Sequence, residues 1–357
     1  MNNKKIQSVL ERVYADSVVE LSDIEFLLSL ESQADMQRLF SFADNVRQKF
    51  CGDGIILRAI VEFSSFCRNG CLYCGLNKNN KKLQRYRLST EEVMEAVKQI
   101  SSAGIKTVVL QSGEDDGLNV LWLGEIIKQI KRDFDMAVTL SVGERSFEDY
   151  KIWKEAGADR YLLKIETANK ALYESLHPEM SFENRIECSR NLKALGYQNG
   201  SGCLVGLKGQ SIATLAEDIV FFQKEEFDMI GIGIFIPHEH TALGKEPAGD
   251  MKLTLKTLAV TRIATRDTHL PATTAIGSIG GNDNRIKALQ AGANVVMPNF
   301  TPAKYRKLYD IYPDKRCVKE LSSSYLETLE TMAAETNRWI DYSIGDSLKH
   351  KRNVSVF

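Results

Sequence analysis

The sequence predicts an α/β fold, and within that class a (β/α)8 barrel of the TIM type, on three observations. Short, nearly continuous apolar runs recur along the chain, as parallel strands covered on both faces require. Amphipathic helical patterns separate these runs in regular alternation. Polar residues gather just after the runs, at the strand ends where barrels of this kind build their sites. An open doubly wound sheet fits the alternation as well and stays open as the alternative.

In chain order, residues 1–50 read as an N-terminal helical extension, 51–300 as the barrel and 301–357 as a helical tail packing on it. The strands are expected at Ile55–Ser64, Lys106–Ser112, Ala137–Val142, Arg160–Glu166, Gly200–Gly206, Met229–Phe235, Leu270–Ala275 and Ala293–Pro298. Between them, helices are expected at Thr90–Ser102, Leu121–Phe134, Glu148–Ala156, Phe182–Leu195, Ser211–Glu226 and Thr254–Arg266. Ser89 with Glu92, and Ser22 with Glu25, have the spacing of capping boxes that satisfy the first free amides of a helix. Gly104, Gly157, Gly196 and Gly292 each follow a helical stretch and can take the left-handed turn that ends it.

Composition narrows the function. The chain of 357 residues carries 46 basic and 47 acidic residues for a net charge of -1, which argues against a nucleic-acid partner. No apolar run reaches membrane-spanning length, and the N-terminus lacks the apolar core of a signal peptide, so no membrane partner and a cytoplasmic location are expected. The chain has 7 cysteines, too few for a disulfide scaffold at this length. Cys67, Cys71 and Cys74 are spaced C-x3-C-x2-C in a loop following the first strand. Three thiolates can hold three irons of a 4Fe–4S cubane, whereas a closed structural metal site takes four ligands. The next cysteine is Cys188 and the first histidine His177, so the spacing predicts an iron open to an exogenous ligand. A zinc loop is the plainer alternative. The other strand ends present Ser112-Gly113-Glu114, Thr139 and Ser141, Lys164 and Glu166, His238, Thr273 and Thr274, and Asn299 with Thr301. His238 and His240 read as a rim pair without metal, and Cys51, Cys188, Cys203 and Cys317 as small apolar residues.

Longer stretches carry a resemblance. EFSSFCRNGCLYCGL (62–76), RYRLSTEE (85–92), LQSGED (110–115), TLSVGE (139–144), KEAGADRYLLKIETAN (154–169), SFENR (181–185), FDMIGIGIFIPH (227–238), PATTAIG (271–277) and GANVVMPNFTP (292–302) stand in an order that closely resembles the HydE family. These are radical S-adenosylmethionine (SAM) maturases of iron–iron hydrogenases, related to biotin synthase and methylornithine synthase. The resemblance covers most of the chain and implies an enzyme with one 4Fe–4S cluster and SAM as cofactors.

Carried over by position, the resemblance places Tyr73 near adenine and gives Ser112, Gly113 and Glu114 the methionine amino group of SAM. It gives Glu166 the ribose hydroxyls and Arg185 the methionine carboxylate, and adds Thr139 and Ser141 to the cofactor-binding set. Arg160, Lys164, Thr273, Thr274, Asn299 and Tyr305 resemble positions lining the family's internal cavity, which suits an anionic ligand. The implied substrate is a small molecule or iron complex, an Fe(CO)2(CN)–cysteine species on the way to the diiron unit of the hydrogenase active site. The implied partners are a low-potential electron donor of the ferredoxin or flavodoxin type and the other hydrogenase maturases. A radical SAM mutase or thioether-modifying enzyme of the methylornithine synthase type is the alternative on the same motifs.

Two departures stand out. Lys164-Ile165 replaces the family's usual Arg-His, which keeps the charge but loses the bidentate fork. Cys317 occupies the first of three auxiliary-cluster positions, but Tyr325 and Thr328 fall where the other cysteines belong, so no auxiliary cluster is expected.

Overall fold

Strand β1 (Gly54–Leu57) and strand β2 (Ala59–Ser64) follow one another with only Arg58 between them. The sequence reads them as one strand; the barrel divides it, because its two halves have different neighbours. β2 begins a parallel six-stranded sheet in chain order, with β3 (Thr107–Ser112), β4 (Ala137–Ser141), β5 (Arg160–Leu162), β6 (Gln198–Val205) and β7 (Met229–Ile234). β1 instead pairs with β8 (Val295–Val296) on one side and, on the other, with β9 (Trp339–Asp341). Such a stagger is what closing a sheet into a barrel imposes. Single parallel bridges complete the ring: Met229 to His269, Pro271 to Val295, and Ile60 to Asn299. The computed structural model describes residues 3–16, 18–281, 283–316 and 324–349.

The expected seventh strand, Leu270–Ala275, is reduced to these bridges, and Thr274–Ser278 turns into a short helix. Proline at 271 has no N–H for a ladder, which limits the pairing there. The tail after residue 300 is helical over Ala303–Arg306 and Ser324–Thr336, but it also supplies β9, in parallel register from Gly54 opposite Trp339.

Helices α1 (Asn3–Ala15), α2 (Leu21–Leu28) and α3 (Gln33–Cys51) lie against the outside of the barrel, in contact with the helix following β7, Met251–Thr265. That helix is consequently buried from Thr254 through Thr265, and Lys256 reaches out of it to donate to the Leu30 carbonyl at 2.8 Å. The Ser89–Glu92 capping box forms at Thr90–Ser102. The Ser22–Glu25 box does not: Glu20 caps α2, its carbonyl already accepting from Asp23 and Ile24, so Ser22 falls inside the first turn. Gly104, Gly157, Gly196 and Gly292 all have positive φ. Helix Lys170–Leu176 is also absent from the expected elements, and it delivers His177 to the barrel mouth.

Candidate functional site

A cavity of about 380 Å³ opens at the C-terminal ends of the strands. Cys67, Cys71 and Cys74 line it, together with Tyr73, Ser112, Glu114, Ser141, Lys164, Glu166, Arg185, Thr273, Thr274 and Asn299. The loop after β2 reaches the cavity because neighbouring backbones approach it closely. A Cβ at Gly113 would lie 2.2 Å from the Phe66 carbonyl oxygen and 2.8 Å from Cys67 Cβ; one at Gly75 would lie 2.0 Å from the Asp310 carbonyl. Only glycine fits at either place. The Gly75 N–H donates to Ile311, and His238 packs beside it, its Nε2–H on Asp310 at 2.9 Å while Nδ1 accepts from the His240 amide. His238, held by the His240 amide, therefore buttresses the cysteine loop.

Burial raises the pKa of all three thiols, that of Cys74 to about 12, with the neighbouring Cys67 adding to it. Thiolates here call for strong compensating positive charge. Three thiolates on one short loop, each able to take a different iron, are a donor set that fits a cubane cluster.

Around the cysteines the polar groups are tightly ordered. Glu114 accepts from Arg68 Nε and from the Glu144 amide, both at 2.8 Å. Glu144 in turn lies 2.8 Å from Arg185 Nε and accepts from Asn184 at 2.6 Å. Burial raises the Glu144 carboxyl, with Arg185 pulling the other way. The Tyr73 hydroxyl donates to His177 Nε2 at 2.7 Å, because His177 Nδ1–H is given to the Tyr173 carbonyl. Burial lowers His177 to about 4, which keeps the ring neutral.

Glu166 stands in the left-handed region at φ 64, a conformation that a side chain-bearing residue adopts only when its surroundings enforce it. β6 does so: the Glu166 amide donates to Gly202 and its carbonyl accepts from Leu204. Lys164 Nζ sits 2.9 Å from Glu166 Oε2. The lysine stem crosses β6 where a Cβ on Gly202 would come within 2.8 Å of its Cε, so the glycine leaves it room. Just past this turn, the fully buried Asp218 accepts from the Ala168 amide. Burial pushes its carboxyl from 3.8 up to about 8 despite that hydrogen bond. Between those values the native state holds a proton that the unfolded chain has lost, so this group's contribution makes stability fall as pH rises. Asp218→Asn should therefore gain on the wild type with rising pH, by up to about 1.4 kcal/mol per pH unit across the window. Urea unfolding at several pH values reads this difference, and a constant gap would contradict it.

Three expected site residues lie elsewhere. Arg160 begins β5 at the opposite end of the barrel, where it meets Asp346 at 2.6 Å and donates to the Ile344 carbonyl. Thr139, in mid-strand, is buried within the barrel beside Arg160, and its hydroxyl has no hydrogen-bond partner among the described residues. Tyr305 is drawn to the outside, stacked on Tyr86 with centroids 4.6 Å apart and donating to Glu92 at 2.9 Å. In their place the cavity wall gains Glu62, Gln111, His177, Tyr312 and Lys315. Only Glu62 had a signal in the sequence, as an acid within an otherwise apolar strand. Cys51 is half-buried and Cys188 and Cys203 are buried; Cys317 lies outside the described residues.

The radical SAM superfamily model matches residues 61–222, a span that includes the cysteine loop, Glu166 and Arg185. The chain is 49% identical over 305 residues to the [FeFe] hydrogenase maturase subunit HydE of Thermotoga maritima, covering 85% of this chain and 87% of that protein. It is 30% identical to the 3-methylornithine synthase of Methanosarcina acetivorans over 77% of each chain. The crystal structure of methylornithine synthase (PylB) superposes with a TM-score of 0.80 at 25% identity, over 97% of this chain and 99% of that one. With this cavity, this sequence and this barrel, the chain belongs to the radical SAM superfamily and, within it, to the HydE family.

Proposed function

We propose that the protein reductively cleaves SAM and acts in building the diiron unit of the iron–iron hydrogenase active site. The observation that carries this reading is the convergence of three cysteines, Glu166 and Arg185 on one cavity, in a chain 49% identical to a hydrogenase maturase. Cys67, Cys71 and Cys74 would hold the 4Fe–4S cluster. When bound and reduced, it supplies the electron that breaks the S–C5′ bond of SAM to give methionine and a 5′-deoxyadenosyl radical.

The chain's own residues bind and orient. Arg185 pairs with Glu144 at 2.8 Å while its Nε–H donates to the Tyr173 hydroxyl at 3.4 Å, leaving the terminal nitrogens to take the methionine carboxylate in a bidentate grip. Glu144 and Tyr173 together hold the guanidinium in place. Glu166, aimed by its left-handed backbone, offers two oxygens to the two ribose hydroxyls. Lys164 holds that carboxylate from the substrate side, so the cofactor and substrate ends of the cavity share an ion pair. Tyr73 is fixed by the neutral His177 for contact with adenine, and a neutral ring adds no repulsion toward a sulfonium. Ser112, Gly113 and Ser141 line the methionine side, and Thr273, Thr274 and Asn299 face the substrate. Low-potential reduction and the other hydrogenase maturases complete the setting. No auxiliary cluster enters this reading.

The test is anaerobic reconstitution with iron and sulfide, then a SAM-cleavage assay with and without an Fe(CO)2(CN)–cysteine complex. The complex should stimulate 5′-deoxyadenosine formation and be consumed. Turnover that ignores it but responds to a free amino acid would establish the mutase reading, which the methylornithine synthase likeness favours.

A further inference from the structure

The even mixing of charge along the chain has a local exception at the cluster loop. From Phe63 to Thr90 the sequence holds six basic residues, Arg68, Lys78, Lys81, Lys82, Arg85 and Arg87, and no acidic one. Arg85 is spent inward, on the carbonyls of Ser65, Leu76 and Asn77. Arg68 and Arg87 meet acids from the loop after β3, and Lys78 meets Glu179. Lys81 and Lys82 are exposed, and among the described residues no acidic side chain pairs with either.

These charges are carried on a firmly built loop. Asn77 is buried, donates to the Cys74 carbonyl at 2.7 Å, and accepts from the amides of Asn79 and Asn80. Asn80, also buried, donates to the Gly75 carbonyl at 2.9 Å and accepts from the Lys82 amide. The Lys78 amide donates to Asn69, between the first two cysteines. The two unpaired lysines are therefore anchored by hydrogen bonds to the segment that carries the cluster ligands.

We propose that this loop, through Lys81 and Lys82, is the docking surface for an acidic, low-potential one-electron carrier. The inference rests on the reading of Cys67, Cys71 and Cys74 as a reducible cluster site. Opposite charge on the partner steers encounter and fixes orientation more than it adds affinity. An electron delivered here has a short covalent and hydrogen-bonded path to the cysteines. The carrier loses one electron and the oxidised cluster gains one; no atom or proton changes hands. A nucleic acid is the less fitting partner, since among the described residues no exposed aromatic accompanies the lysines.

The experiment uses the reconstituted full-length protein with Lys81 and Lys82 both changed to Glu. Flavodoxin hydroquinone serves as the acidic carrier, and stopped-flow bleaching of the cluster's visible absorption is the readout. At low salt the reversal should slow reduction at least about tenfold, and added salt should slow the wild type but not the variant. SAM cleavage driven by excess dithionite should be equal in the two proteins. A carrier-driven rate indifferent to both the reversal and salt would overturn the proposal, as would charge-dependent binding of a single-stranded oligonucleotide with no effect on reduction. Absence of SAM cleavage by the dithionite-reduced wild type would instead count against the radical reading. The bleaching rates would still decide the docking surface in that case.

Discussion

Cys71→Ala is expected to lose the cluster's visible absorption and SAM cleavage together, down to the level of protein without iron. Two thiolates would be left for four irons, and the surroundings offer no replacement of comparable strength. The Met180 sulfur lies 3.9 Å from Cys71 Sγ, and a neutral thioether cannot supply the lost negative charge. The loop itself should survive the change. Leu72 is tied to the Leu176 carbonyl, Gly75 to Ile311, and Arg85 to three backbone carbonyls of the loop and its approach. Far-UV circular dichroism and thermal unfolding of the metal-free protein should accordingly match the wild type. SAM cleavage retained in this variant would remove Cys71 from the cluster.

The second large effect concerns an ion pair that joins the two ends of the fold. Lys315 Nζ lies 2.7 Å from Glu62 Oε1, and both side chains are only 4% exposed. Lys315 also donates to the Tyr309 carbonyl at 2.9 Å, while Glu62 has Thr301 at 3.5 Å from its other oxygen. Lys315→Met would strand the Glu62 carboxylate in the cavity wall, a loss of about 3–5 kcal/mol for a buried pair broken on one side. Changing both residues, Glu62→Leu with Lys315→Met, should recover most of that stability, because the desolvation cost disappears with the charges. Urea unfolding of the four proteins measures the cycle. A single variant within about 1 kcal/mol of the wild type would mean that the pair behaves like a solvated one.

Sequence determines most where the physics is local. Helix boundaries followed from capping residues and glycine stops that act within one turn, and Thr90–Ser102 was placed to the residue. Sequence determines less where a neighbour decides. One apolar run became β1 and β2 because barrel closure gives its halves different partners, and a tail segment without a marked apolar run became β9 because β1 offered it an edge.

The same division runs through the site. The cysteine spacing singled out the triad and the family resemblance singled out Glu166 and Arg185, and the barrel brings all five to one cavity. Depth along a strand was not legible in this way. Arg160 and Lys164 lie four residues apart, about 13 Å of extended chain, so one is at the barrel floor with Asp346 and the other faces the cavity. Nor could the sequence pair Glu62 with Lys315 across 253 positions. Residue type fixes what a side chain can do, but only the closing of the barrel and the return of its tail determine which side chains share a cavity.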